Sequence, residues 1–285
     1  MTIKKVCVIG GGLMGRQIAL NTAIYPYEVT VTDSNPDVIE NIKVWENDYL
    51  AGRIAKGRMT EEQVNGIKER FTVVDSLEEA VKDADLVIEA IIEREDIKRE
   101  LFQKLSKLVR NDTILASNSS RICSSAFIDV VDNPSRLANL HYFNPALVMK
   151  LTEVVQGEHC SEETAKALMD FSTATGKTPV LLKKEIDGFI TNRLLSALKT
   201  EARFLVSNGY CTIQDVDIAC ENGLGYPMGP FKLEDLTGID LTYYVLLREY
   251  EKTGVKPIGF DMVKEYYDKG FYGKKTGKGY YDYSK

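Results

Sequence analysis

Through the first half of the chain, short apolar runs alternate with longer amphipathic ones, the pattern of a parallel sheet covered by helices. Candidate strands run from Val6 to Ile9, Val29 to Thr32, Phe71 to Val74, Leu86 to Glu89, Thr113 to Ala116 and Leu137 to Leu140. The stretch from Pro36 to about Arg70 is too long for one crossover helix. It predicts a helical pair projecting from the sheet, because Gly57 breaks the pattern and Thr60 with Gln63 has the spacing of a capping box. Two more strand-like runs, Thr152 to Gln156 and Val180 to Leu182, flank a helix that starts near Ser161 and stops before Gly176. From Gly188 onward only helical patterns remain: Phe189 to Ser207, Thr212 to Glu221, one after Pro230, and Asp240 to Lys252.

That shift sets an expected boundary near Lys184 to Asp187, dividing the chain into residues 1–184 and 185–285. The fold class expected from this pattern is an α/β Rossmann-type domain with a helical-pair insertion, followed by an all-α C-terminal domain. A helical domain of about 100 residues is small for its own core, so packing on the first domain or a second copy is expected.

Composition narrows the classes. Of the residues, 44% are hydrophobic and 27% charged, which fits a folded globular chain rather than a disordered one. A net charge of −6 argues against general nucleic-acid affinity, which needs clustered positive charge. No apolar run approaches the roughly 20 residues that span a bilayer. The opening MTIKKVCVIGGG enters a strand directly, without a signal-peptide pattern, so a cytoplasmic location and no membrane partner are expected. The five cysteines are scattered with no metal-ligand spacing, so no metal is expected.

Gly10, Gly12 and Gly15 form GxGxxG after an apolar strand and before the helical pattern Leu13 to Ala23. Glycines there permit a tight turn, close approach to a pyrophosphate and close packing of helix on strand, and the first-turn backbone of Leu13 and Met14 offers unpaired donors. Asp33 ends the second strand, where a carboxylate accepts from ribose hydroxyls and repels a 2′-phosphate. Ser34 and Asn35 follow it with no arginine, which predicts NAD rather than NADP. No kinase or Walker signature accompanies the glycines.

Only two histidines are available for proton transfer near neutral pH. His141 stands at a strand's C-terminal end, where α/β sheets bind ligands, while His159 lies in the polar turn QGEHCSEE and reads as a solvated surface residue. Glu153, in the next strand-like run, is a candidate to hold the His141 ring. On residue type alone, His141 also fits a structural strand end and Glu153 a solvated carboxylate.

The phrases GGGLMG, VIEAIIE, ILASNSS, HYFNPALVMKLTEVV, GFITNRLL, GYPMGPF and KKTGKGYYDY occur in this order across nearly the whole chain. In them the sequence resembles the 3-hydroxyacyl-CoA dehydrogenases, and most closely the short bacterial 3-hydroxybutyryl-CoA dehydrogenases. The resemblance implies that His141 is the general acid/base, oriented by Glu153, that Ser120 bonds substrate and cofactor, and that Asn192 positions substrate. It implies cofactor contacts for Asn144, Glu93, Lys98 and Lys275, and contacts with the phosphates of an acyl-CoA substrate for Lys56, with Arg53 and Arg58 nearby. It also implies a homodimer through the helical domain. Other readings of the same residues are a helix cap at Ser120, an Asn-Pro turn at Asn144, and solvated charges at Lys98 and Lys275.

Two departures from the family pattern stand out. Arg121 follows the predicted substrate serine, and Tyr49 stands where some relatives carry a CoA-contacting serine. The alternatives in view are a dehydrogenase of a free hydroxy acid of the carnitine or gulonate type, and a non-catalytic NAD-binding protein.

Overall fold

The computed structural model describes residues 2–284 and divides into two compact units, the first ending at Ile190 and the second beginning at Thr191. The first unit is built on an 8-stranded sheet in the order β3-β2-β1-β4-β5-β6-β7-β8. Its strands are β1 (Lys5–Ile9), β2 (Glu28–Thr32), β3 (Phe71–Val73), β4 (Leu86–Glu89), β5 (Ile114–Ser117), β6 (Leu137–Tyr142), β7 (Leu151–Val155) and β8 (Thr178–Leu182). Neighbours pair in parallel except β6 and β7, which run antiparallel. The sheet is therefore mixed rather than wholly parallel. Because β1 lies between β2 and β4, the chain reverses its winding at β1 and leaves a crevice beyond the strands' C-terminal ends.

Helices α1 (Leu13–Ala23), α2 (Pro36–Ala55), α3 (Glu61–Arg70), α4 (Leu77–Val81), α5 (Glu95–Leu108) and α6 (Glu162–Ala174) belong to this unit. One core joins Val8, Ile18, Leu20, Ile88, Leu140 and Phe171; a second joins Cys7, Val87, Phe102, Leu105 and Phe127. Alternate residues of β1 and β4 feed the two cores, which is why those strands read as continuous apolar runs. Phe102 and Phe127 stack with centroids 4.6 Å apart and are fully buried, each contributing about 1.5–3 kcal/mol over an exposed ring.

The helical pair has the local chemistry that its sequence predicts. Asn35 caps α2 by accepting from the Asp37 amide, with Pro36 in the first turn. Gly57, at φ 62°, reverses the chain after α2. Thr60 and Gln63 then close a reciprocal capping box at 3.2 and 3.0 Å that starts α3.

The second unit comprises α7 (Thr191–Ser207), α8 (Ile213–Ile218), α9 (Pro230–Thr237), α10 (Ile239–Thr253) and α11 (Phe260–Asp268). The expected helix from Thr212 to Glu221 shortens to α8 and continues as a π-helical turn over Ala219–Gly223. α7 starts two residues later than its pattern suggests, because Gly188 and Phe189 both adopt positive φ. α11 has no counterpart among the expected elements. The core gathers Val216, Phe231, Ile239, Leu246, Phe260 and Val263 around a buried Arg203–Glu234 ion pair at 2.7 Å. Asp235 fastens the end of the chain by accepting from the amides of Tyr280 and Tyr281. Among the described residues no helix is long and apolar enough to cross a membrane.

Candidate active site

The crevice beside β1 has the form a dinucleotide requires. A Cβ on Gly10 would stand 2.6 Å from the Ala90 carbonyl oxygen, and one on Gly15 would stand 1.7 Å from that of Gly10, so neither position admits a side chain. A Cβ on Gly12 would meet nothing within 4 Å, so the space over the start of α1 is open. No side chain caps α1 and no acid sits in its first turn, which leaves the amides near Leu13 and Met14 facing that space. These features fit a bound pyrophosphate.

Asp33 is held at the end of β2. Its two oxygens accept from the amides of Gly11 at 2.7 Å and Asn35 at 2.9 Å, and each keeps lone-pair capacity for a hydroxyl. Beside it opens a cavity of about 290 Å³ walled by Ile9, Gly10, Thr32, Leu77, Ile97 and Leu101, with Asp75, Glu100 and Lys104 at its edge. The apolar walls suit a flat base, and three carboxylates against one ammonium make it a poor host for a 2′-phosphate. The walls beyond Asp33 come from distant segments and have no signature in the sequence.

Behind the crevice lies a buried ionic chain. Glu89 accepts from the Lys98 ammonium at 2.5 Å, the Ser117 hydroxyl at 2.7 Å and the Ile91 amide at 2.8 Å. The ammonium also lies 3.4 Å from Glu93, whose other oxygen accepts from the Ser119 hydroxyl at 2.5 Å and the Ser120 amide at 3.2 Å. The solvated-charge reading of Lys98 is overturned, since only 1% of it is exposed. Glu93 and Lys98 thus fix the backbone of the turn that carries Ser120. Glu89, Ser117 and Ser119 have parts in this chain that sequence reasoning missed. Arg121 leaves the turn as an exposed side chain.

His141 and Glu153 face each other across the β6–β7 pair. His141 Nδ1 lies 2.8 Å from Glu153 Oε2, and both side chains are buried. A carboxylate only accepts, so Nδ1 carries the proton and Nε2 remains for a reactant. The other carboxylate oxygen accepts from the Ile190 amide at 3.2 Å, and the rings of Phe143 and Phe189 lie 4.5 and 5.6 Å from the imidazole. Asn118, which the sequence reading did not single out, holds the end of β6 by accepting from the Tyr142 amide at 2.9 Å.

The remaining candidates lie on other elements. Asn144 is exposed and precedes a cis bond to Pro145. Lys56 and Arg58 are exposed at the turn between α2 and α3, while Arg53 is half-buried with Nε hydrogen-bonded to nothing. Tyr49 stacks on Trp45 at 5.6 Å, and the Arg16 guanidinium lies 4.9 Å from the Trp45 ring, so Tyr49 here packs an aromatic ledge. In the second unit, Asn192 is the second residue of α7, and the exposed Lys275 pairs with Asp240 at 2.6 Å. His159 departs from its expected surface role: it is half-buried and bonded to Ser124.

A dinucleotide crevice and the buried His141–Glu153 pair stand on one sheet, an arrangement that suits an NAD-dependent dehydrogenase. Residues 5–186 match the NAD binding domain of 3-hydroxyacyl-CoA dehydrogenase, and residues 188–283 match that enzyme's C-terminal domain. The chain belongs to the 3-hydroxyacyl-CoA dehydrogenase family. It is 37% identical to the mitochondrial hydroxyacyl-coenzyme A dehydrogenase of Homo sapiens, covering 99% of this chain and 91% of that one. It is 35% identical to a probable 3-hydroxybutyryl-CoA dehydrogenase of Bacillus subtilis, covering 99% and 98%. The crystal structure of (S)-3-hydroxybutyryl-CoA dehydrogenase from Ralstonia eutropha superposes with a TM-score of 0.89 at 29% identity, covering all of both chains.

Proposed function

We propose that the protein interconverts 3-hydroxybutyryl-CoA and acetoacetyl-CoA, with His141 as general acid/base. The observation that carries the mechanism is the 2.8 Å contact between His141 Nδ1 and Glu153, which leaves Nε2 as the proton-exchanging atom. The cofactor supplies or accepts the hydride at C3. In reduction, His141 enters as imidazolium and gives its Nε2 proton to the 3-keto oxygen; in oxidation, neutral His141 takes the hydroxyl proton. The Glu153 carboxylate stabilises the imidazolium, and burial of the pair strengthens that attraction relative to water. Ser120, on a turn clamped by Glu93, holds the substrate oxygen, and Asn192 aligns the thioester end. Arg53 and Lys56 meet the CoA phosphates; the unsatisfied Arg53 Nε supports that reading. Cofactor contacts for Asn144, Lys98 and Lys275 stay part of the proposal on the strength of the sequence motifs. So does a homodimer through the helical unit, supported by exposed Leu224, Leu241 and Val255.

The test is NADH consumption with acetoacetyl-CoA, run beside acetoacetate, dehydrocarnitine and NADPH. Turnover confined to the CoA ester with NADH is the expected result, and turnover of a free keto acid selects a hydroxy-acid dehydrogenase instead. His141→Ala should lower kcat by on the order of a hundredfold or more while NADH binding stays near normal. Wild-type turnover in that variant removes His141 from the mechanism.

A further inference from the structure

A second polar cluster lies outside the dinucleotide crevice and the His141–Glu153 pair. Ser124, fully buried, donates its hydroxyl proton to Glu185 Oε1 at 2.8 Å, and the same oxygen accepts from the Ser125 amide at 2.9 Å. His159 Nε2 lies 3.2 Å from Ser124 Oγ. A serine has one proton to give and here gives it to the carboxylate, so His159 must be the donor to Ser124. Burial lowers the His159 pKa from its ordinary value, against the opposing pulls of Glu185 and the Leu137 carbonyl. Serine, histidine and glutamate here do not form a hydrolytic triad. The acid grips the serine rather than the imidazole, and the hydroxyl is sealed from solvent.

The cluster is built for close fit. A Cβ on Gly157 would stand 2.3 Å from His159 Cε1 and 2.9 Å from Glu185 Oε1, so glycine is required there for the ring and the carboxylate to nest against the backbone. Ser124 is held in turn, its amide donating to the buried Asn139 Oδ1 at 2.8 Å.

What the cluster grips is the segment leading from β8 to Ile190. Five residues after Glu185, the Ile190 amide donates to Glu153 Oε1 at 3.2 Å. Between them Phe189 holds φ 51°, a conformation unfavourable for a bulky L-residue that persists only where its surroundings enforce it. The Phe189 ring is buried against Val155 and Leu182, 5.6 Å from the His141 ring. The strap is thus pinned at one end by Glu185 and at the other touches both members of the acid–base pair.

We propose that Glu185, latched by Ser124, Ser125 and His159, is a positioning residue that sets the Glu153–His141 geometry through the 185–190 strap. The inference rests on the reading of His141 as general acid/base, but its test does not depend on turnover alone. With only two histidines in the chain, the imidazole NMR signals of His141 and His159 can be told apart by comparison with His159→Gln. Glu185→Ala should lower kcat by on the order of ten- to a hundredfold, with the KM for NADH changed less than about twofold. It should also shift the His141 ring resonances and the pH at which they titrate. Glu185→Gln, whose amide oxygen still accepts from Ser124 and Ser125, should recover most of the loss, and Ser124→Ala should fall between the two. Wild-type kcat together with unmoved His141 resonances in a folded Glu185→Ala or Ser124→Ala protein overturns the proposal. If His141→Ala retains turnover while Glu185→Ala still shifts the His141 signals, the acid/base assignment fails and the strap coupling stands.

Discussion

Lys98 shows how one side chain can be misjudged from its type. Its ammonium sits between Glu89 and Glu93 where solvent hardly reaches it, and deleting that charge strands a buried carboxylate. Lys98→Met should therefore cost about 3–5 kcal/mol, far more than a surface lysine. Urea unfolding of the variant measures it, and a loss under about 1 kcal/mol would show that Glu89 is satisfied without the lysine. The burial had a trace in the sequence: Lys98 precedes Phe102 and Leu105 by four and seven residues, on the apolar stripe of α5. His159 offered no such trace. Its partners Ser124 and Glu185 are far from it in the chain, and polarity of the local turn suggested solvent. The glycines and Asp33, by contrast, were legible because strand, turn and helix follow one another directly and local geometry dictates the residue types.

At the scale of elements, legibility followed the range of the forces involved. Strand runs and the α2–α3 pair could be read because alternation, caps and breakers act within a few residues. Thr60→Ala removes one side of the α3 capping box and should cost about 1 kcal/mol. The expected sign is a lower urea midpoint at unchanged m value; an unmoved midpoint would mean that the box contributes nothing. The π-helical turn after α8 has no periodicity that announces it. α11 was missed because it is short and carries Asp261, Lys264 and Glu265 among its apolar positions. The direction of β7 was within reach of sequence reasoning. Residues 143–150 between β6 and β7 are too few for a parallel crossover, which takes a dozen or more.

For the molecule as a whole, the expectation that a small helical unit needs a partner bears on assembly. Leu194, Leu224, Leu241 and Val255 are each more than half exposed, apolar surface that isolated subunits would present to water. Light scattering behind a sizing column should give twice the 32.0 kDa chain mass; a mass of one chain at micromolar concentration would remove the homodimer from the proposal. The reversed strand carries a further implication for how this sequence can vary. His141 and Glu153 are opposite by register, and their separation of 12 residues is the length of a turn plus two strand ends. Adding or removing one residue in the exposed connection slides β7 by one step and turns the carboxylate to the other face of the sheet. Surface loops ordinarily absorb insertions. This one is a ruler, and its length keeps His141 opposite Glu153 even where its residues are free to change.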